Sequence, residues 1–309
     1  MTNNYEYHIP VMLQPCLDGL NMKPDGVYVD VTFGGGGHSI AIFEKLGPTG
    51  KLISFDQDPD ARANAWEDPR FHFVASNFSF LKNQLRALDI THVDGILADL
   101  GVSSHQFDAS ERGFSIRGND KLDMRMNQQG ELTALTVLHD YTEQQLAFVI
   151  GAYGEVDHTM RTVRAILRAR EAKKLRTTSD LCNALESAAP KFKEHKFYAQ
   201  VFQAIRIEVN QEMEVLKKLL EQTAEVLKPD GRLVVMSYHS LEDRLVKNFM
   251  KRGSMDGSIE KDFFGNVLKP FEEITRKPII STEEEIQQNT RSRSAKLRIA
   301  KRLEDKKTK

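Results

Sequence analysis

Cysteine is scarce: Cys16 and Cys182 are the only two in 309 residues, far apart and without partners at metal-ligand spacing. That argues against a disulfide framework and against a zinc centre, so no metal is expected. Long apolar runs are missing too. No stretch approaches the ~20 residues of a membrane span. The opening MTNNYEYHIPVMLQP also lacks the basic-then-apolar order of a secretion signal. A cytoplasmic protein with no membrane partner is expected. Charge of one sign is absent as well: the formal net charge is -1, which excludes a uniformly basic nucleic-acid coat and leaves local patches to be found segment by segment. No internal repeat is visible. The remaining balance, 40% hydrophobic and 28% charged, is that of a globular chain with one large or two ordinary domains.

The stretch from Val27 to Asp56, VYVDVTFGGGGHSIAIFEKLGPTGKLISFD, organises the rest. An apolar run (Val27, Val29, Val31) enters four glycines, a helix-like segment follows, and a second apolar run ends at Asp56. This spacing predicts a βαβ unit. Its first turn lets a ligand approach the backbone, and its second strand ends in an acceptor for ribose hydroxyls.

Further strands are expected at Phe71 to Phe78 and at Val93 to Leu100, the latter ending in Asp99 and running into GVSSHQFD. Helices alternate with them, which favours a parallel, doubly wound sheet. The glycine turn, Asp56, Phe78 and Asp99 would then share the carboxyl edge, where such sheets bind ligands. Ahead of the unit, His8 and Pro10 begin an arm expected to dock on the core. Residues 108–130 are polar and glycine-bearing and read as a long functional loop.

Helical patterns follow. Thr142 with Gln145 forms a capping-box signature, a second helix begins near His158, and Thr178 or Ser179 caps a third. A long helical pattern from Val201 to Leu227 stops at Lys228-Pro229-Asp230-Gly231. Then RLVVMSYHS returns to strand character. A last strand with one buried face is expected in SRSAKLRIAKR. The expected organisation is thus one α/β domain, residues 1–132 and 210–309, interrupted by a helical insertion at 133–209.

Between His158 and Gln200 there are ten Lys or Arg against four Asp or Glu. Arg161, Arg164 and Arg168 share a helical face. Lys191, Lys193 and Lys196 alternate with Phe192, Phe197 and Tyr198, a composition suited to neutralising phosphates and stacking bases. The clustering favours nucleic acid as the partner of this insertion.

The glycine turn departs from two nucleotide fingerprints. A dinucleotide site asks for Gly or Ala where Ser39 stands, and a P-loop asks for Lys-Ser or Lys-Thr where His38-Ser39 stands. The order Asp30, Gly34, Gly36 instead resembles the first motif of S-adenosylmethionine-dependent methyltransferases, with Thr32 at a place often held by glycine. The segments TFGGGGHS, DLGVSSHQFD, ERGFS, LDMRM, FQAIRIEVNQE, SYHSLEDRLVK and RSRSAKLR, in this order and nearly end to end, resemble the RsmH (MraW-type) family. That resemblance implies a Rossmann-like class I methyltransferase fold and S-adenosylmethionine as cofactor. It also implies methylation of N4 of a decoding-centre cytosine in bacterial 16S ribosomal RNA. The partner would be 16S rRNA or the small ribosomal subunit, with no DNA partner.

Cofactor contacts carry over to Gly36, Gly37, His38, Asp56, Phe78, Asp99 and Gln106. The family often has proline where His105 stands and arginine where Gln200 stands. Transfer to an exocyclic amine needs no covalent nucleophile, so Asp99 is the expected catalytic group, acting by proximity and orientation. Asp123 and His239 are secondary candidates. A nicotinamide-dependent oxidoreductase and a non-catalytic RNA-binding protein are the competing classes.

Overall fold

The computed structural model describes residues 10–102 and 112–304. The chain divides into two compact units, Met1–Gly101 with Met213–Lys309, and Val102–Glu212.

The first unit holds α1 (Leu13–Leu20), β1 (Val27–Asp30), α2 (Gly37–Glu44), β2 (Lys51–Asp56), β3 (Phe71–Ala75), α3 (Leu81–Ala87) and β4 (Val93–Asp99). Its strands resume at β5 (Leu227–Ser237), followed by β6 (Phe271–Glu273), β7 (Ile279–Ile280) and β8 (Lys296–Arg302). They form one sheet in the order β3-β2-β1-β4-β5-β8-β6, with β7 on β8. The pairs from β3 through β5 are parallel and those of β8 antiparallel. This is a Rossmann-like, doubly wound α/β sheet.

Alternate side chains of each strand enter opposite layers, as the two-residue period requires. Val29, Val31, Ile53, Phe55, Ile96 and Val235 join one buried cluster. Tyr28, Leu52, Leu97, Val234 and Met236 join the other. Burial on both faces explains why these strands read as continuous apolar runs. The arm enters the second layer, where Val11 and Met12 are buried.

Chain order reverses at β1, whose neighbours are β2 on one side and β4 on the other. The crevice at such a switch point, beyond the strands' carboxyl ends, is where doubly wound sheets bind ligands.

The helix before residues 228–231 ends at Val226, one residue short of the expected Leu227; those four residues then bulge within β5, since Leu227 lies opposite Val93 and Arg232 opposite Gly95. One expectation for this unit is corrected: β8 is not one-faced, for Leu297, Arg298, Ile299 and Ala300 are buried in succession. Arg298 is accommodated because its Nε donates to Asp243 Oδ1 at 2.6 Å, a charge pairing no local pattern reveals.

The second unit has its own core. It contains α4 (Ala134–Asp140), α5 (Glu143–Phe148), α6 (Thr159–Glu171), α7 (Thr178–Leu185) and α8 (Glu194–Asn210). The predicted capping box at Thr142 and Gln145 is present. That at α7 is set one residue earlier than expected, on Thr177 with Asp180. The long pattern from Val201 is broken at Gln211, which is left-handed at φ 51° and caps α8 before α9 (Glu212–Val226) begins.

Residues 112–130 are not a free loop. Phe114, Leu122, Met124 and Met126 belong to the helical core, and the unit begins at Val102 rather than near residue 133. Asn210 clamps the segment: its Oδ1 accepts from Met126 N–H at 2.7 Å and its Nδ2 donates to the Met124 carbonyl at 2.8 Å. Among the described residues no helix is long and apolar enough to cross a membrane.

Candidate active site

Three carboxylates end adjacent strands: Asp30 on β1, Asp56 on β2 and Asp99 on β4. Asp30 is buried and satisfied locally. Its Oδ1 accepts from Thr32 N–H (3.0 Å) and the Thr32 hydroxyl (3.2 Å), and its Oδ2 from the Ser39 hydroxyl (2.7 Å). Ser39 also meets the Ser54 hydroxyl at 2.7 Å, and Thr32 Oγ1 accepts from Asp99 N–H at 2.7 Å. Ser39, which departs from the dinucleotide fingerprint, and Thr32, which stands at a place often held by glycine, therefore tie β1, β2 and β4 together at their carboxyl ends. Burying Asp30 requires this many donors, because an unpaired buried carboxylate is costly.

The glycine turn opens α2. Gly34 and Gly36 have φ of 50° and 81°, a region that side chains other than glycine's rarely occupy. Gly36 is the N-cap and supplies no side chain to the first turn, leaving backbone N–H groups of α2 for an anionic group. Gly37 is required for another reason. A Cβ there would come within 2.4 Å of Pro10 Cγ, so Gly37→Ala is expected to displace the arm and reduce affinity for the ligand of this turn about ten-fold, a loss of one close-fitting contact. Isothermal titration, with circular dichroism as the control for folding, measures this.

Asp56 accepts from Gly34 N–H and Asp58 N–H, each at 2.8 Å. Burial pushes its carboxyl up to about 6, although those two bonds pull the other way. Two accepted bonds leave lone pairs for a diol, since a carboxylate takes about four.

Asp99 has a partner on each oxygen. Tyr238, just past β5, donates its hydroxyl to Oδ1 at 2.8 Å, and His38 Nδ1 lies 3.7 Å from Oδ2. His38 Nε2 meets the Val11 carbonyl at 3.1 Å. A carbonyl only accepts, so Nε2 carries a hydrogen and Nδ1 is the ring nitrogen that faces Asp99. Burial raises the Asp99 carboxyl to about 6, against the charge of His38 and the Tyr238 bond. Burial also lifts the Tyr238 phenol well above its ordinary value, with Asp99 adding to it.

Cys16 is fully buried nearby. Burial, then the charges of Asp99 and Asp30, raise its thiol well above the usual range, so it stays protonated and unreactive.

Phe78 is half-buried just beyond β3, after the Asn77 cap. The predicted Gln106, and Ser103-Ser104-His105 with it, lie outside the described residues, as does His8. His239 is engaged structurally, since its Nδ1 accepts from Glu242 N–H in a capping box at the start of α10 (Ser240–Arg252). Asp123 is likewise engaged, in a bidentate pair with Arg125 at 2.8 and 2.7 Å. Burial pushes its carboxyl up, but the Arg125 bonds prevail and hold it below the usual range. Tyr238 is the residue that reading the sequence missed. Its position after a strand adjacent to β4 was the available signal.

In the helical unit Arg164 and Arg168 are exposed, and Arg161, also exposed, donates to the Ser187 carbonyl. Lys191, Lys193 and Lys196 are exposed beside Phe192, which is 97% accessible. The other two aromatics are not available for stacking as expected: Phe197 is in the core and Tyr198 is half-buried against it. Gln200 donates to the Glu155 carbonyl.

A switch-point sheet with a glycine turn before an unblocked helix, an acidic residue closing β2 and a second one closing β4 defines an S-adenosylmethionine-dependent methyltransferase. The chain belongs to the MraW methylase family, whose model matches residues 5–303. It is 55% identical over 303 residues to the ribosomal RNA small subunit methyltransferase H of Flavobacterium johnsoniae, covering 98% of this chain and 100% of that one. The protein of the same name from Parabacteroides distasonis is 54% identical, covering 96% and 98%. That of Flavobacterium psychrophilum is 56% identical, covering 94% and 100%.

Proposed function

We propose that this protein methylates N4 of a decoding-centre cytosine in 16S ribosomal RNA, in the cytoplasm. The carrying observation is the row of groups along the carboxyl edge: Phe78 after β3, Asp56 on β2, the glycine turn after β1 and Asp99 on β4, in the order in which those strands pair. Four neighbouring strands span about 14 Å, room for an extended nucleoside with an amino-acid arm. Phe78 would contact the adenine, Asp56 the ribose hydroxyls, and the N–H groups of Gly37 and His38 the carboxylate end, while Gly36, whose N–H donates to the Phe33 carbonyl at 2.7 Å, shapes the turn beside it. Gln106 is assigned there by family likeness. When bound, the cofactor supplies an electrophilic methyl group on a sulfonium.

Asp99 does the positioning. With one oxygen held by Tyr238 and the other facing His38, its remaining lone pairs accept from the cytosine amino group and turn the nitrogen lone pair toward the methyl carbon. As the nitrogen–methyl bond forms and the sulfur–methyl bond breaks to leave a thioether, the amino group gives up one N–H proton, which Asp99, the acceptor of that N–H, is placed to take. Orientation supplies a large share of such a barrier. The names of the relatives support the ribosomal substrate.

The base must be unstacked to be reached, and the exposed arginines and lysines of the helical unit supply phosphate contacts. Charge reversal at Arg164 and Arg168 is expected to weaken RNA binding at least ten-fold at low salt, with cofactor affinity unchanged; filter binding and titration separate the two. Nucleoside mass spectrometry of small-subunit RNA incubated with protein and S-adenosylmethionine tests the whole reading. Absence of N4-methylcytidine would overturn it.

A further inference from the structure

Two phenylalanines stand out from the first unit, in the segment between α10 and β6. Phe263 and Phe264 are 98% and 84% exposed, and their rings meet edge to face with centroids 5.6 Å apart. Phenylalanine is ordinarily buried, so a pair at one tip calls for a partner.

The tip is built rather than slack. Asp262 Oδ1 accepts from Phe264 N–H at 3.0 Å and from Asn266 N–H at 2.9 Å, and both its oxygens accept from the Asn266 amide. Asp262 N–H donates to the Asn266 carbonyl, and Gly265 N–H returns to the Asp262 carbonyl, each at 2.9 Å. Gly265, at φ 83°, makes the reversal, and Lys261 pairs with Val267 across it. A turn fixed this way presents its rings with little further loss of freedom on binding.

The charges around it identify the partner. Two of the segment's three carboxylates are turned inward, Asp262 into the turn and Asp256 onto the Ser254 hydroxyl and Ser258 N–H; Glu260 remains. Lys251, Lys261 and Lys269, by contrast, have no ion-pair partner among the described residues. Free cations beside exposed rings suit a polyanion carrying flat bases. Two side chains at a narrow tip are also too small for a stable protein interface, which needs about 800 Å² per partner.

We propose that the Phe263–Phe264 tip stacks on unpaired bases of the substrate RNA while Lys261 and Lys269 neutralise its phosphates. This rests on the reading of the chain as an rRNA methyltransferase.

The test uses the full chain as wild type, F263A/F264A, F263L/F264L and F263W/F264W. Affinity for protein-free small-subunit RNA and for the intact small subunit is measured by filter binding at one salt concentration, with methyl transfer to both followed for wild type and S-adenosylmethionine affinity as the folding control. The Ala and Leu variants are expected to bind RNA about ten-fold or more weakly, the Trp variant like wild type, and all four should bind the cofactor alike. Wild-type RNA affinity in the Ala variant would overturn the proposal. So would rescue by Leu, which marks apolar docking, or a loss confined to protein-containing subunits, which marks a protein partner. If wild type itself neither binds nor methylates the RNA, the underlying reading fails with it, and that control tells the two failures apart.

Discussion

Asp99→Asn is expected to lower methyl transfer to small-subunit RNA at least 100-fold while making the folded protein more stable at pH 8. The first effect follows from position: an amide at the end of β4 presents one acceptor instead of a carboxylate, and Tyr238 already occupies it. The second follows from burial. The Asp99 carboxyl is raised to about 6 in the fold, above its unfolded value of ~3.9. The folded state therefore holds a proton that the unfolded chain releases. Stability from this group is complete at acid pH and is lost as pH rises through about 6.

A neutral amide escapes that loss. Tyr238 can still donate to its oxygen, and its N–H can meet His38 Nδ1. The gain at pH 8 is at most about 3 kcal/mol, two units of pKa, and it should vanish toward pH 4. Thermal unfolding of both proteins at several pH values, beside single-turnover transfer, measures the two effects. Undiminished transfer in the variant would remove Asp99 from the mechanism.

Asp56→Asn is expected to weaken S-adenosylmethionine binding about 100-fold, since a charge-assisted bond contributes ~1.5–3 kcal/mol. The wild-type site should also lose affinity in acid. With the carboxyl at about 6, protonation below that pH removes acceptors for the ribose hydroxyls, and the dissociation constant should rise toward ten-fold per unit. Asp99 titrates in the same range, so the slope left in Asp56→Asn reports Asp99 alone. Calorimetric titrations between pH 5 and pH 8 give both slopes. A pH-independent wild-type affinity would show that neither carboxyl must ionise to bind.

The cofactor edge was legible because its signals are local. Strand periodicity, consecutive glycines and acidic strand ends sit within a few residues of one another, and β1, α2, β2 and β4 follow from them. What was hidden depends on distant partners. Tyr238 acquires meaning only when β5 pairs with β4 and brings its hydroxyl to Asp99. Arg298 reads as a solvent-facing charge until Asp243 meets it. The segment 112–130 looks polar because its buried residues are few, Phe114 apart from the alternating Leu122, Met124 and Met126, and its order comes from Asn210, 84 and 86 positions away. The break between α8 and α9 falls on Gln211, with neither glycine nor proline to announce it. Composition located the basic stretch but not which aromatics face out; helix packing took Phe197 inward and left Phe192 exposed.

The place of the helical unit in the chain also sets an order of folding. During synthesis β1 to β4 emerge first, and the outer edge of β4 has no partner until β5 begins, 128 residues after Asp99. At 5–20 residues per second that interval lasts roughly 6–26 s, long for a bare strand edge able to pair with other chains. The helical unit, with a core of its own, can fold within the gap as a unit. Closure of the catalytic sheet is then a late step of biogenesis, and Asp99 meets Tyr238 only when it is complete.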